Sequence, residues 1–448
     1  MKQDIDVEKR FSPRIGTNFP IQIEGATGNI ISMSDTGACF CLEQRLPLRR
    51  FTANIHLPSR ALEIIIHLKW KQYQQSKKDS FLYGAQFIDL DEKTLSAIRK
   101  SLIFRQLRSL IKDIHEKEIR SKVVIFAKAF KQYLYNLIRL TNDLENNQIS
   151  KEEAKKYITY LNNEIILKGD RLEKELNQKK IIRKIKQDFR FLVSCWAYRS
   201  SIMKRAYEKP RGYPGDYRML EAIYDNKPFS KKIGEYFDLY FLNNPYAIAV
   251  RNRKDKLGDM LKNFIETANL DSIKILNLAC GSCREIAELL PSLQYRKPIY
   301  FTCIDWDQEA LDFSKNALKN SPPNVTFNFL KKDLIELIKN GRSPLLLKSQ
   351  DLIYSIGLVD YLPDRMFKKI VQASFRLLAE EGVLIITHKN KEQTFSPIPP
   401  DWFCDWKFVP RNMNEVVDLF KNSKIDISSL NIEVDNFNHI YYFILTKK

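Results

Sequence analysis

The segment Asn277-Leu278-Ala279-Cys280-Gly281-Ser282-Cys283-Arg284-Glu285 closes an apolar run, Ile273 to Leu278, and leads into a helical pattern. Small residues there let the backbone approach a ligand closely, and a helix N-terminus offers free N–H groups to an anion or carboxylate. Asp305 follows a second run, Phe301 to Ile304, at about the 20-residue spacing where a carboxylate accepts from both hydroxyls of a ribose. Asp333 follows a third run and is suited to receive an adenine amino group. A lone Asp here also reads as a helix N-cap, but three such features in order point to a nucleoside-bearing ligand. Of the three glycines of a dinucleotide fingerprint only Gly281 is present.

Further candidates follow the next two runs. Ser355 opens the segment Ser355 to Leu362, in which Asp360 and Tyr361 are proton acceptors for a hydroxyl or amine substrate. His388, after the run Val383 to Thr387, is a third candidate, with a structural strand-end histidine as the alternative. Trp402, Phe403, Trp406 and Phe408 read either as an apolar acceptor pocket or as packing. Cys280 and Cys283 form C-x-x-C without a second suitably spaced ligand pair, so no metal site is expected.

These residues need elements to hold them. From Ser272 onward, strand-like runs alternate with helical patterns, which predicts a parallel sheet flanked by helices. Ile425 to Val434 and Ile440 to Leu445 lack an intervening helix and predict a terminal antiparallel pair. Ile21 to Leu90 holds six short alternating or apolar runs broken by turn residues, predicting a small β-barrel or sandwich. Between them, from about Leu95 to Tyr207, apolar residues such as Ile119, Val123, Phe126, Phe130 and Leu137 recur at helical spacings. The expected domains are 1–104 (barrel), 105–206 (helical region, with a homodimer through it as an expectation), 207–271 (cap or lid) and 272–448 (α/β). The island Tyr207 to Tyr217, with three tyrosines among Pro and Gly, suggests a shaped lid.

Ile275 to Glu285, Asp305, Asp333 and Ser355 to Leu362 together resemble the successive motifs of class I S-adenosylmethionine-dependent methyltransferases, over roughly Ser272 to Lys448. The resemblance implies a Rossmann-like, mostly parallel seven-stranded sheet. S-adenosylmethionine would be held by Asn277, Ala279, Cys280, Gly281, Asp305, Asp333 and Ser355, with Tyr213 of the lid and Arg251. The family's acidic residue on the first strand is Asn277 here, and its first and third glycines are Ala279 and Cys283. The lid and Val250-Arg251-Asn252-Arg253 resemble a bacterial subgroup associated with 3-hydroxy fatty acid methyl esters. That implies O-methyl transfer to a fatty-acid-like carboxylate, with Arg251 or Arg253 clamping a carboxylate of cofactor or acceptor.

Near the N-terminus, Arg10 and Arg14 flank Phe11-Ser12-Pro13, and Ser32-Met33-Ser34-Asp35-Thr36-Gly37 lies after the second run. Paired arginines suit phosphate and a guanine edge. Residues 8–99 resemble the PilZ domain, a cyclic di-GMP receptor, which implies contacts from Arg10, Arg14, Ser32, Ser34 and Gly37; Ser32 stands where that family has Asp or Asn. A barrel kept for protein contacts is the alternative. The whole then reads as a methyltransferase regulated by cyclic di-GMP, with a non-catalytic cyclic di-GMP effector as its rival.

Composition sets the outer bounds. In 448 residues, 44% hydrophobic and 28% charged, the chain is neither disordered nor collagen-like. Basic residues outnumber acidic ones 73 to 54, which favours anionic partners, yet solvated lysine faces such as Lys179 to Lys186 account for much of it and no nucleic-acid partner is expected. Seven cysteines are odd in number and sparse, fitting a reducing cytoplasm. No stretch approaches the roughly 20 apolar residues of a transmembrane helix.

Overall fold

Strict alternation builds the N-terminal strands. β1 (Ile15–Ile23) buries every second residue, and β4 (Arg50–His56) does the same in opposite phase. With β2 (Ala26–Met33), β3 (Gly37–Leu42), β5 (Ala61–Gln74) and β6 (Ser80–Ile88) they close a barrel in the order β1-β2-β3-β6-β5-β4, sealed by antiparallel pairing of β1 with β4. Closure removes the exposed edges of a sheet. In this computed structural model residues 14–74, 80–112, 114–334, 347, 349–394 and 399–448 are described; Arg10 lies outside them.

Four helices follow: α1 (Glu92–Lys112), α2 (Lys117–Glu145), α3 (Lys151–Leu176) and α4 (Lys179–Ala197). α2 buries Ile119, Val123, Phe126, Phe130, Leu134 and Leu137 along one stripe, and Phe130 stacks on Phe189 of α4 at 4.9 Å. A capping box between Ser150 and Glu153 starts α3. The chain divides into two compact units, residues 1–204 with 229–240 and residues 205–228 with 241–448. In the first unit, the buried pair Arg99–Asp35 (3.0 Å) ties α1 to the turn between β2 and β3.

The second unit is built on a sheet of β7 (Ile273–Leu278), β8 (Ile299–Asp305), β9 (Val325–Lys331), β10 (Gln350–Ser355), β11 (Leu378–Lys389), β12 (Asn431–Val434) and β13 (Ile440–Thr446). Its order is β12-β13-β11-β10-β7-β8-β9; the pairs from β11 to β9 are parallel, and β13 is antiparallel to both β11 and β12. One face packs under Leu257, Leu261 and Ile265 of the helix Pro245–Thr267 and Ile286 of the helix Arg284–Leu289. The other packs under Phe367 and Val371 and under Val416 and Phe420, from two later helices. The barrel, the helical middle and the mostly parallel seven-stranded sheet agree with the expected fold class.

Two boundaries differ. The expected strand from Ile425 starts only at Asn431, because Asp426 accepts the Ser428 N–H (2.8 Å) and turns the chain. β11 runs on to Lys389 because pairing with β13 continues to Lys389 opposite Ile440, so His388 lies within the strand and not beyond it.

Candidate functional site

The strand order reverses between β7 and β10, and the loop after β7 leaves the sheet there. Ala279, Gly281 and Cys283 have φ of 57°, 56° and 49°, so the two residues standing in for glycines take the glycine conformation. The loop is pinned on three sides. The Cys280 N–H donates to Ile304 O (3.0 Å), Ser314 Oγ to Gly281 O (2.9 Å) and Ser355 Oγ to Leu278 O (3.0 Å).

Asp305 ends β8 against this loop. Its Oδ2 accepts the Gly281 N–H and its Oδ1 the Asp307 N–H, both at 2.9 Å. Burial pushes this carboxyl above the ordinary range, and the N–H groups oppose the shift. Asp333 lies exposed just past β9. Asn277 Nδ2 donates to Glu285 Oε1 (3.0 Å), which also accepts from Tyr354 Oη (2.8 Å). Asn277 Oδ1 is buried without a partner among the described residues. Burial raises Glu285 to about 8. Sequence reasoning did not single out Glu285, a carboxyl supplied by the helix after the loop beside the strand position that carries Asn277. Cys280, Cys283 and Cys303 are buried free thiols close enough to share hydrogen bonds, and no metal-holding cluster occurs among the described residues.

The segment 205–217, which includes the expected lid, crosses this end of the sheet. Arg205 clasps Asp216 with two hydrogen bonds (3.0 and 2.8 Å), and Asp216 caps the helix Tyr217–Asp225 through the Met219 N–H. Arg211 pairs with Asp307 (3.4 Å) and Glu309, and the Tyr213 ring lies 5.8 Å from that of Trp306. At Gly215 a Cβ would come within 3.0 Å of Tyr361 Oη and 3.1 Å of the Trp406 ring. The lid thus reaches from the Asp305 side to a panel of stacked rings, Phe241, Trp406, Phe408, Tyr361 and Tyr246. Trp402 and Phe403 are buried.

Behind the panel lies a buried charge cluster. Asp360 accepts from Arg253 Nη1 (3.3 Å) and the Lys389 N–H (3.0 Å), with Lys389 Nζ at 3.4 Å. Burial would raise its carboxyl, but Lys389, His388 and Arg253 outweigh burial and hold it below the usual range. Lys389 Nζ sits 3.8 Å from the centre of the Phe408 ring, and burial brings it down to about 8. Arg253 Nε has no partner among the described residues.

The sequence-derived candidates do not all converge here. Arg251 turns to the carbonyls of Leu242 (3.0 Å) and Ile223 (3.5 Å), whereas Arg253 enters the cluster. His388 is fully buried. Arg411 Nη1 donates to its Nε2 (3.2 Å), which leaves Nδ1–H to donate to Lys389 O (2.8 Å); a guanidinium only donates, so both ring nitrogens are engaged. Tyr361 Oη accepts from Trp406 Nε1 (2.9 Å). Lys389 is a group that sequence reasoning missed, and its signal was a cation at a strand end.

In the barrel, Arg14 immediately precedes β1 and is partly exposed. Ser34 is buried, with its N–H on Gly37 O (2.8 Å) and its Oγ within 3.3 Å of Thr36 Oγ1. Ser32 is half-buried, and Gly37 packs against Ala85, whose carbonyl O lies 2.3 Å from where a Cβ would stand.

No protein-family model and no curated protein matches the sequence. Among solved structures, a possible exported protein from Bordetella parapertussis aligns over 64% of this chain and 96% of its own at 14% identity and a TM-score of 0.44. The magnesium protoporphyrin IX methyltransferase of Synechocystis PCC 6803, solved with bound SAM, aligns over 46% and 85% at 11% identity and 0.33. The N-methyltransferase NodS of Bradyrhizobium japonicum WM9, solved with S-adenosyl-L-homocysteine, aligns over 52% and 97% at 14% and 0.33. At such scores these likenesses bear on neither activity nor substrate.

Proposed function

We propose that this chain is an S-adenosylmethionine-dependent methyltransferase. The observation that carries the reading is Asp305, a carboxylate fixed by the Gly281 and Asp307 N–H groups beside a glycine-like loop at the point where the strand order reverses. Ligands of open α/β sheets bind at that point. The residues fit the cofactor: Asp305 keeps lone pairs for ribose hydroxyls, and Asn277 Oδ1, buried and unpartnered among the described residues, can accept from its ammonium group. Ser355 holds the loop from below.

When bound, S-adenosylmethionine supplies an electrophilic methyl group. The chain's residues then have to bring an acceptor in line and exclude water. The aromatic panel offers an apolar wall, and the Arg253–Lys389 pair facing one carboxylate, Asp360, leaves a surplus of buried positive charge. An apolar acceptor with an ionised carboxylate suits both, and it needs no base to remove a proton. The lid covers the panel through Gly215. We further propose that cyclic di-GMP, bound by Arg10, Arg14, Ser32 and the Ser34–Gly37 turn, regulates the transfer.

Isothermal titration of the full chain with S-adenosylmethionine, before and after saturation with cyclic di-GMP, tests the reading. Expected are saturable cofactor binding, its loss in Asp305→Ala, and a shift in affinity with the dinucleotide that Arg14→Ala abolishes. Absence of cofactor binding in both states overturns the enzyme and favours a non-catalytic effector; an affinity indifferent to the dinucleotide removes the regulation alone.

A further inference from the structure

A groove of about 980 Å³ opens between β1, α1 and α2 of the first unit, and its walls carry Arg105, Arg108, Lys112 and Arg120 with no carboxylate among the described lining residues. All four cations are exposed. Some surface cations of this chain are paired, as in Arg49–Glu24, Lys122–Glu118 and Lys168–Glu164. Among the described residues none of the four groove cations makes an ion pair. Arg105 Nε donates to Gly16 O, which fixes the side chain against β1, and its guanidinium lies 6.0 Å from the Phe19 ring. Arg108 lies 5.6 Å from the ring of Phe104, which is 45% exposed in the groove. Gln106 in the wall donates to Asp188 (3.1 Å).

Positions 105, 108 and 112 share one face of α1, while Leu102, Ile103, Leu107 and Leu110 bury the other. At about 1.5 Å per residue the three cations extend over roughly 10 Å. Cations spread along that length suit a chain of phosphates better than a single tetrahedral anion. Guanidinium forks bind phosphate oxygens in pairs, and a groove of this size holds a nucleotide-sized ligand.

We infer that this groove binds a ligand carrying two or more phosphates in series, at residues separate from the turn proposed for cyclic di-GMP. Inorganic polyphosphate and a nucleoside triphosphate share that chemistry. For the nucleotide, the Phe104 ring and the Arg108 guanidinium supply surfaces on which a base stacks.

The full chain titrated calorimetrically with inorganic tripolyphosphate, and separately with GTP, tests the inference. Expected is one-site binding that weakens with added salt and falls by at least about tenfold in Arg105→Glu/Arg108→Glu. Lys179→Glu/Lys180→Glu, an equal charge change on the exposed start of α4, stays within about twofold of wild type. If the first variant fails to fold by circular dichroism, Lys112→Gln/Arg120→Gln takes its place and must weaken binding. Tighter binding of GTP identifies a nucleotide; equal binding identifies the bare polyphosphate. No saturable binding of either probe overturns the inference, and so does an equal loss in the α4 control, which would mean general attraction to a basic chain. It is also overturned if the groove variants lose only cyclic di-GMP binding and tripolyphosphate never binds. Cyclic di-GMP binding in Arg14→Ala reports separately on the turn.

Discussion

Ala279 holds φ at 57°, a conformation that costs an L-residue about 1–2 kcal/mol. Glycine there relieves the strain but adds about 0.5–1 kcal/mol of unfolded-state entropy. Ala279→Gly should therefore stabilise the second unit by about 0.5–1 kcal/mol, read from urea unfolding. Glu285 sets a pH dependence. Burial raises it to about 8 from 4.5, so the folded state keeps a proton that the unfolded state has released. Its contribution is complete below the unfolded value and is lost as pH rises through about 8. The urea midpoint of wild type should thus fall relative to Glu285→Gln between about pH 5 and 8.5; a constant difference would mean that Glu285 titrates normally. Asp305 was legible in the sequence because a strand end and a spacing define it. Glu285 was not, since its place depends on a side chain across the loop. Arg251 and Arg253 lie two positions apart on the helix Pro245–Thr267 and so on different faces. His388 and Lys389 are strand neighbours, and both side chains reach Asp360, at 4.0 and 3.4 Å. A single sequence gives no means of choosing within either pair.

The elements were more legible than the side chains, because alternation and helical spacing are written locally. Trp70 and Gly84 show what pairing adds. They face each other across β5 and β6, and a Cβ on Gly84 would fall 2.2 Å from the indole. Gly84→Val should cost about 1–3 kcal/mol of barrel stability by overpacking, measured by thermal unfolding, and the penalty should shrink in a Trp70→Ala background. An additive double mutant would mean that the two residues do not meet. The late start of β12 was hidden for a related reason: the Asp426 turn is a side-chain to backbone bond, and apolar pattern does not record such bonds.

At the scale of the molecule, each unit has its own core, and thermal unfolding should show two transitions. S-adenosylmethionine at about a hundred times its Kd should stabilise the unit that holds the seven-stranded sheet by about 2.7 kcal/mol. Under the proposed regulation, cyclic di-GMP raises the transition of the barrel unit and also alters the response of the other to cofactor. Differential scanning calorimetry with each ligand alone and with both separates these effects. A single transition raised equally by either ligand would mean that the chain melts as one body.

The partition of the chain has its own consequence. Residues 205–228 belong to the second unit, yet 229–240 return to the first before the chain leaves again at Phe241. The returning stretch is anchored by Asp238, fully buried, which accepts from Ser200 Oγ (2.5 Å) and from the N–H groups of Phe229 (2.9 Å) and Ser230 (2.7 Å). No single cut therefore yields both units whole. A gene split after Lys204 leaves the N-terminal fragment without its anchor and the C-terminal fragment carrying Ile233, Phe237 and Tyr240, buried in the intact chain, as an uncovered apolar stripe. Co-expression of the two fragments should rescue the solubility that each lacks alone, and an N-terminal fragment 1–204 with residues 229–240 joined to its end through a linker should not need the rescue.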